Sequence, residues 1–377
     1  MSKVNNIKTA IVCVTNDLTT DQRVHKTCLA LQKAGYRVVE TGRVLPDSLP
    51  LTRPYRTRRK KHFFNSGALF YAEYNLRLFF YLLLARVDLI FANDLDTLPA
   101  AFLAAKIRRK KLIYDTHEYF TEVPELVTRP KIQRIWQKIE RFIFPKLNII
   151  ITVNNSIAAL YEEKYNKKIT VVRNIPLYKP FVKSELLQTM FPNKKTLLYQ
   201  GAINLGRGLE YVIDALPLLD DVVLAVIGAG DIENDLKAKV KHLHLEDKVH
   251  FLGKKTPEEL YKFTASAHIG LCLLEDLGLN YHYALPNRIF DYMQAQIPVL
   301  ATDFPEIEKV VNTYHTGVLI NHYEPKYIAE IIDKMLKNPI DKVHFEQPAK
   351  ELCWENEEKI LLNLINKTDA LHINTDI

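Results

Sequence analysis

The sequence predicts an α/β protein of two Rossmann-like domains, on three observations: a length that one core does not fill, strands alternating with helices in both halves, and a proline-bearing break between them. At 377 residues the chain exceeds the roughly 250 to 300 residues at which single cores stop growing. Hydrophobic residues at 47% and charged residues at 25% are the balance of a globular protein, not of a disordered or fibrous one.

In the first half, apolar runs at 9–15, 87–93, 111–116, 148–154 and 169–174 read as strands. Between them apolar residues recur at three- and four-residue spacing over Asp21 to Gly35, Gly67 to Arg86, Leu98 to Arg109, Lys131 to Lys146 and Ser156 to Tyr165, which reads as helix. Such alternation predicts a parallel sheet covered on both faces. The first domain is placed at 1–175. The stretch NIPLYKPFVKSELLQTMFPNKK breaks the rhythm, and 176–195 is read as a linker.

The alternation restarts with TLLYQG, VVLAVIGAG, KVHFLG, HIGLCLL, PVLATD and TGVLIN as strands, separated by helices near 208–219, 231–243, 256–266, 286–295, 305–312 and 324–337. This second domain is placed at 196–348. A further helical stretch, roughly 349–366, has no strand after it and is expected to pack back toward the first domain as part of 349–377.

The start MSKVNNIKTAIVCVTN carries no cleavable apolar segment, so a cytoplasmic protein is expected. Cys13, Cys28, Cys272 and Cys353 form no CxxC pair and read as reduced packing residues. The net charge is +7, with six basic residues between Arg53 and Lys61 followed by Phe63 and Phe64. The apolar run Leu78 to Ala85 is far short of the roughly 20 residues that span a bilayer. The basic run at 53–64 therefore reads either as a solvated loop or as a patch that touches an anionic membrane surface. A nucleic-acid partner is not expected, because one local run without a binding motif is poor support for it.

Ligands of open α/β sheets bind beyond the carboxyl ends of the strands. In TLLYQGAINLGRGLEYV, Gly201, Gly206 and Gly208 surround a strand-to-helix turn with Arg207 at the helix mouth, an arrangement suited to a phosphate or to a plain surface turn. Asp231, in Gly228-Ala229-Gly230-Asp231, reads as a helix cap. In LGLNYHYALPNRIFDYMQAQIPVLATD, Pro286 opens a helix, Asn287 and Arg288 lie at its mouth, and Asp291 follows one turn on. These groups suit a phosphate and ribose hydroxyls, or a surface ion pair. In NDLDTLPAA, Asp94 and Asp96 spell DxD, but Asp96 reads as a helix cap and no metal is expected.

The set YQG…RG and PNRIFDYMQAQIPV, preceded by NDLDTLPAA and YDTHEYF, resembles the group 1, family four retaining glycosyltransferases of GT-B fold over nearly the whole chain. The resemblance implies two domains facing across a cleft, the first presenting an acceptor and the second binding a nucleotide-sugar donor. It implies donor contacts from Gly201, Arg207, Asn287, Arg288 and Asp291, and catalytic roles for Arg207, Arg288 and His117, with no cofactor beyond the donor as co-substrate. His117 is expected to orient the donor sugar or stabilise its ring. Asp94 and Glu118 are expected on the acceptor side, the acceptor being a saccharide or lipid-linked hydroxyl. Two positions depart from the family pattern: Tyr283 stands where the first of two paired glutamates is usual, and Ala202 where an arginine often follows the glycine turn. An epimerase on the same scaffold and a catalytically inactive sugar-nucleotide-binding subunit are the alternatives.

Overall fold

The computed structural model describes residues 7–19, 21–46 and 48–373, with side chains through residue 368. The chain divides into two compact units, Met1–Asn174 with Asn356–Ile377, and Ile175–Glu355.

The first unit is built on seven parallel strands: β1 (Thr9–Cys13), β2 (Arg37–Arg43), β3 (Arg56–Lys60), β4 (Leu89–Asn93), β5 (Lys111–Thr116), β6 (Ile150–Thr152) and β7 (Thr170–Val171). Their order is β3-β2-β1-β4-β5-β6-β7. The central strands β1 and β4 are buried along their whole length, as strands covered on both faces must be. Ile11 pairs in register with Val39 on one side and Ile90 on the other. The order reverses between β1 and β4, and at that switch point the loops leaving the strands diverge.

The basic run is a strand, not a loop. Arg56–Lys60 forms β3 at the sheet edge, paired with β2. Cationic side chains on an edge strand discourage pairing with another chain. Several serve the fold directly: Arg53 Nη2 donates to the Leu18 carbonyl at 3.1 Å, Arg59 Nη1 to the Leu49 carbonyl at 3.1 Å, and the Arg58 guanidinium lies 3.8 Å from the Tyr81 ring centre.

The second unit has six parallel strands, β8 (Lys195–Gln200), β9 (Val222–Ile227), β10 (Val249–Gly253), β11 (Ile269–Cys272), β12 (Val299–Thr302) and β13 (Gly317–Ile320), in the order β10-β9-β8-β11-β12-β13. Its switch point falls between β8 and β11. One apolar layer is formed by Leu197, Leu224, Leu271 and Ile332, and the other by Leu198, Ala225, Tyr292 and Ile307.

Two boundaries differ from expectation. The stretch 176–195 is not a free linker: it holds a helix, Leu186–Met190, and buries Leu187 in the second unit. The final helical stretch is two helices, Val343–Glu351 in the second unit and Trp354–Ile373, most of which joins the first. Glu357 is buried and receives the Arg173 backbone N–H at 2.7 Å and the Arg173 guanidinium at 2.6 Å, and Lys33 pairs with Glu358 at 2.8 Å. All four cysteines are buried and none is in a disulfide, and no helix among the described residues is long and apolar enough to cross a membrane.

Candidate active site

In the second unit the sequence motifs converge at the carboxyl end of β8. Gly208, at φ +72°, is the N-cap of the helix Leu209–Ala215, a backbone state that side chains resist. Its position touches Leu273 beyond β11, so the glycine turn spans the switch point. The loops after β8 and β9 are pressed together. A Cβ on Gly228, at φ +148°, would lie 1.8 Å from the Gly201 carbonyl oxygen, and one on Gly230 would lie 2.3 Å from that of Ile203. Gly228→Ala must therefore separate the two loops, and is expected to destabilise the domain by about 1–3 kcal/mol and distort the Gly201 turn. Denaturant unfolding beside Gly253→Ala, which shares a positive φ (+69°) but meets no atom within 4 Å, separates the clash from the backbone strain; equal effects would mean the loops are slack.

The helix Asn287–Gln294 is seated by Tyr292, whose ring occupies the space that a side chain on Gly270 would fill. The Tyr292 hydroxyl donates to the Leu198 carbonyl at 3.1 Å, with the Leu271 carbonyl at 3.2 Å. That seating fixes Arg288, second residue of the helix, over the end of β8. Its guanidinium lies 4.4 Å from the Tyr199 ring centre, and Nη2 would be 3.4 Å from a Cβ on Gly201. Arg207 stacks 4.7 Å over the Tyr281 ring. Burial raises the Cys272 thiol pKa, and both guanidinium groups act against that rise.

Arg288 is buried, Arg288 Nη1 and Arg207 Nε have no hydrogen-bond partner, and no carboxylate forms an ion pair with either residue among the described residues. Buried charges are ordinarily paired, so the buried Arg288 and the half-buried Arg207, each without a carboxylate in an ion pair, have the chemistry to accept an anion. Asp291 accepts from Gln200 Nε2 at 2.9 Å, and Gln200 in turn accepts from Thr264 Oγ1 at 2.7 Å. Asn287 is exposed at the helix mouth. Asp231 is not a cap: Ile232 holds that position before the helix Glu233–His242, and the Asp231 N–H meets Asn204 Oδ1 at 3.4 Å.

In the first unit a second cluster forms at the carboxyl ends of β4 and β5. Asp94 opens the helix Asp94–Arg108 at φ +57°, a strained state for a non-glycine residue that persists where its surroundings hold it. Here one Asp94 oxygen accepts the His117 backbone N–H at 2.9 Å and the other lies 3.3 Å from His117 Nδ1. His117 Nε2 is 3.1 Å from Asn93 Oδ1 and 3.3 Å from Asp115 Oδ2. Asp115 is gripped from behind by Arg23, Nε at 3.0 Å and Nη2 at 2.7 Å. Asp96 is not a cap either: it is buried and accepts from Thr15 Oγ1 at 2.6 Å, across the switch point. Glu118 is exposed.

The charges of this cluster support one another. Burial alone would depress His117, but Asp94 and Asp115 outweigh it and raise its pKa to about 9. Burial pushes Asp115 up, but Arg23 and His117 prevail and lower it to about 2. Burial raises Asp94, with His117 partly opposing. The two carboxylates thus favour the protonated imidazole, and both ring nitrogens are engaged inside the domain. Arg23 and Asp115 carry no local sequence sign, because they meet only through the fold.

Residues 21–175 match the model described as Glycosyltransferase Family 4, and residues 188–352 the one described as Glycosyl transferases group 1. The chain belongs to these group 1, family 4 glycosyltransferases of GT-B fold. An uncharacterised glycosyltransferase of Methanocaldococcus jannaschii is 24% identical over 74% of this chain and 74% of its own length. Among solved structures, sucrose-phosphate synthase from Thermosynechococcus elongatus superposes with a TM-score of 0.78 at 17% identity, over 97% of this chain and 99% of that one. Anabaena HepE in complex with UDP-glucose superposes with a TM-score of 0.71 at 15% identity, over 96% and 99%.

Proposed function

We propose that the chain moves a sugar from a nucleotide-diphosphate sugar to a hydroxyl acceptor with retention of anomeric configuration, in cell-surface glycan or glycolipid assembly at the cytoplasmic face of the membrane. The observation that carries this reading is the pair Arg207 and Arg288, the latter beside Gly201 and the former over Tyr281, neither in an ion pair with a carboxylate among the described residues. The complexes of Anabaena HepE with UDP and with UDP-glucose support a donor of this class.

The acceptor hydroxyl approaches the anomeric carbon from the face that the diphosphate leaves. Its oxygen bonds to that carbon as the carbon–oxygen bond to the diphosphate breaks, and its proton passes to a leaving phosphate oxygen. No enzymic nucleophile is required. Negative charge gathers on the diphosphate, and Arg207 and Arg288, held in place before reaction, stabilise it. Asn287 and Asp291 receive the ribose side of the donor. In the first unit Asp94 and Glu118 steer the acceptor. A protonated His117 does not stabilise a cationic ring by charge, so its part is to hold Asp94 and through it the acceptor.

Thermal shifts with a panel of nucleoside diphosphates test the donor claim, since a ligand that binds only the folded state raises its melting point. At 100 times Kd the stabilisation is about 2.7 kcal/mol. A shift with UDP or another member of the panel is expected, and a flat panel defeats the reading. Product NMR then reports the anomeric configuration, and donor incubated alone must stay unchanged, whereas an epimerase would alter it.

A further inference from the structure

The peripheral placement just proposed needs a surface, and in the basic run at 53–64 Arg53, Arg58 and Arg59 are already engaged within the fold. Three helices of the first unit, Gly67–Leu84, Asp94–Arg108 and Pro130–Ile143, are neighbours. The Tyr71 and Trp136 rings of the first and third meet edge to face at 5.2 Å. The third helix buries Trp136, Glu140 and Ile143 against the domain. At 100° per residue, Lys131, Arg134, Ile135, Lys138, Arg141 and Phe142 fall on about one third of its circumference, and all six are exposed. Ile135 is 58% and Phe142 63% accessible. The neighbouring helices add exposed Leu76, Phe80, Leu103 and Ile107.

Carboxylates are withdrawn from this surface. Glu140 is fully buried and receives Lys164 at 2.7 Å and the Tyr165 hydroxyl at 2.6 Å. Glu73 is held by Arg77 at 2.9 Å and by the Phe63 and Phe64 amides at 3.0 Å. Asp94 and Asp96 belong to the cluster around His117 and Thr15. What faces outward is cationic and apolar together. A two-fold contact with a second copy would bring the same patch against itself and oppose like charges. An anionic bilayer accepts both features, the cations at its headgroups and the Ile135 and Phe142 side chains at the acyl boundary.

We infer that the outward face of Pro130–Ile143 docks on an anionic lipid surface. The assignment rests on the peripheral placement and locates it, independently of the transfer chemistry. Flotation with vesicles of equal parts phosphatidylglycerol and phosphatidylcholine, beside pure phosphatidylcholine, tests it. Each basic residue near such a surface contributes about fivefold in partitioning, so Lys131→Gln/Lys138→Gln/Arg141→Gln should bind on the order of 100-fold more weakly to the anionic vesicles. Ile135→Ser/Phe142→Ser should also detach, and all five positions are exposed, so circular-dichroism melts should match wild type. Arg56→Gln/Lys60→Gln/Lys61→Gln should bind as wild type does. If only this edge-strand variant detaches, the helix assignment falls while the peripheral placement stands. If wild type ignores anionic vesicles, both fall. A dimer that the Ile135 and Phe142 changes dissolve, with vesicle binding intact, gives the face to a second copy and overturns the inference.

Discussion

Arg288→Met should abolish most sugar transfer while raising the melting point of the free protein. The two effects have one cause. Arg288 is buried and forms no ion pair with a carboxylate among the described residues, so in the absence of an anion its charge opposes folding, and an apolar side chain of similar reach removes that penalty. When a diphosphate departs, the same charge stabilises the transition state, and losing one such group lowers kcat by about 100- to 1,000-fold. The nucleoside diphosphate that stabilises wild type should stabilise the variant much less. Turnover of the matching nucleotide sugar and paired melts with and without diphosphate check both halves. A variant that melts lower and still turns over would show that Arg288 is a structural cation.

Arg23→Leu should destabilise the first unit by about 3–5 kcal/mol, because it leaves the buried Asp115 carboxylate without its forked partner. Arg23→Lys should rescue only part, since one ammonium does not reproduce two parallel hydrogen bonds and a third to the Val172 carbonyl at 2.8 Å. The pH dependence follows from the same cluster. Asp115 has its folded pKa lowered to about 2, so its contribution is present above its unfolded pKa near 4 and is lost as pH falls through 2. His117 has its folded pKa raised to about 9, so its contribution is complete below about 6.5 and disappears as pH rises through 9. Asp94 works the other way: burial raises its folded pKa to about 6, so its contribution to stability is lost as pH rises from about 4 to 6. His117→Asn should remove the decline between about 6.5 and 9, which denaturant midpoints across that range will show. An unchanged alkaline slope would mean that His117 is neutral in the folded protein.

How much of this was legible in the sequence differs between the two units for physical reasons. In the second, each strand is short, apolar and bounded by turn residues, and the reading from TLLYQG to TGVLIN matches β8 to β13. In the first, β2 and β3 were missed. The sequence of β3 is Arg-Thr-Arg-Arg-Lys, and an edge strand can dispense with the apolar residues by which a strand is recognised. Arg207 and Arg288 could be found because a glycine turn and a proline-led helix mark a helix mouth locally. The Arg23–Asp115 pair could not, since its members are 92 positions apart and meet only across β5. Asp96 and Asp231 were misread as caps because a carboxylate near a helix start is a local cue, while their partners Thr15 and Asn204 come from elsewhere in the fold.

The chain leaves the first unit at Asn174 and returns to it at Asn356. During translation that unit therefore emerges with the berths of Glu357 and Glu358 vacant, and Arg173 and Lys33 wait for them until the whole of Ile175–Glu355 has been made. The later-born unit is a continuous stretch and can complete itself first, so native order in the nascent protein is not expected to run from amino to carboxyl terminus.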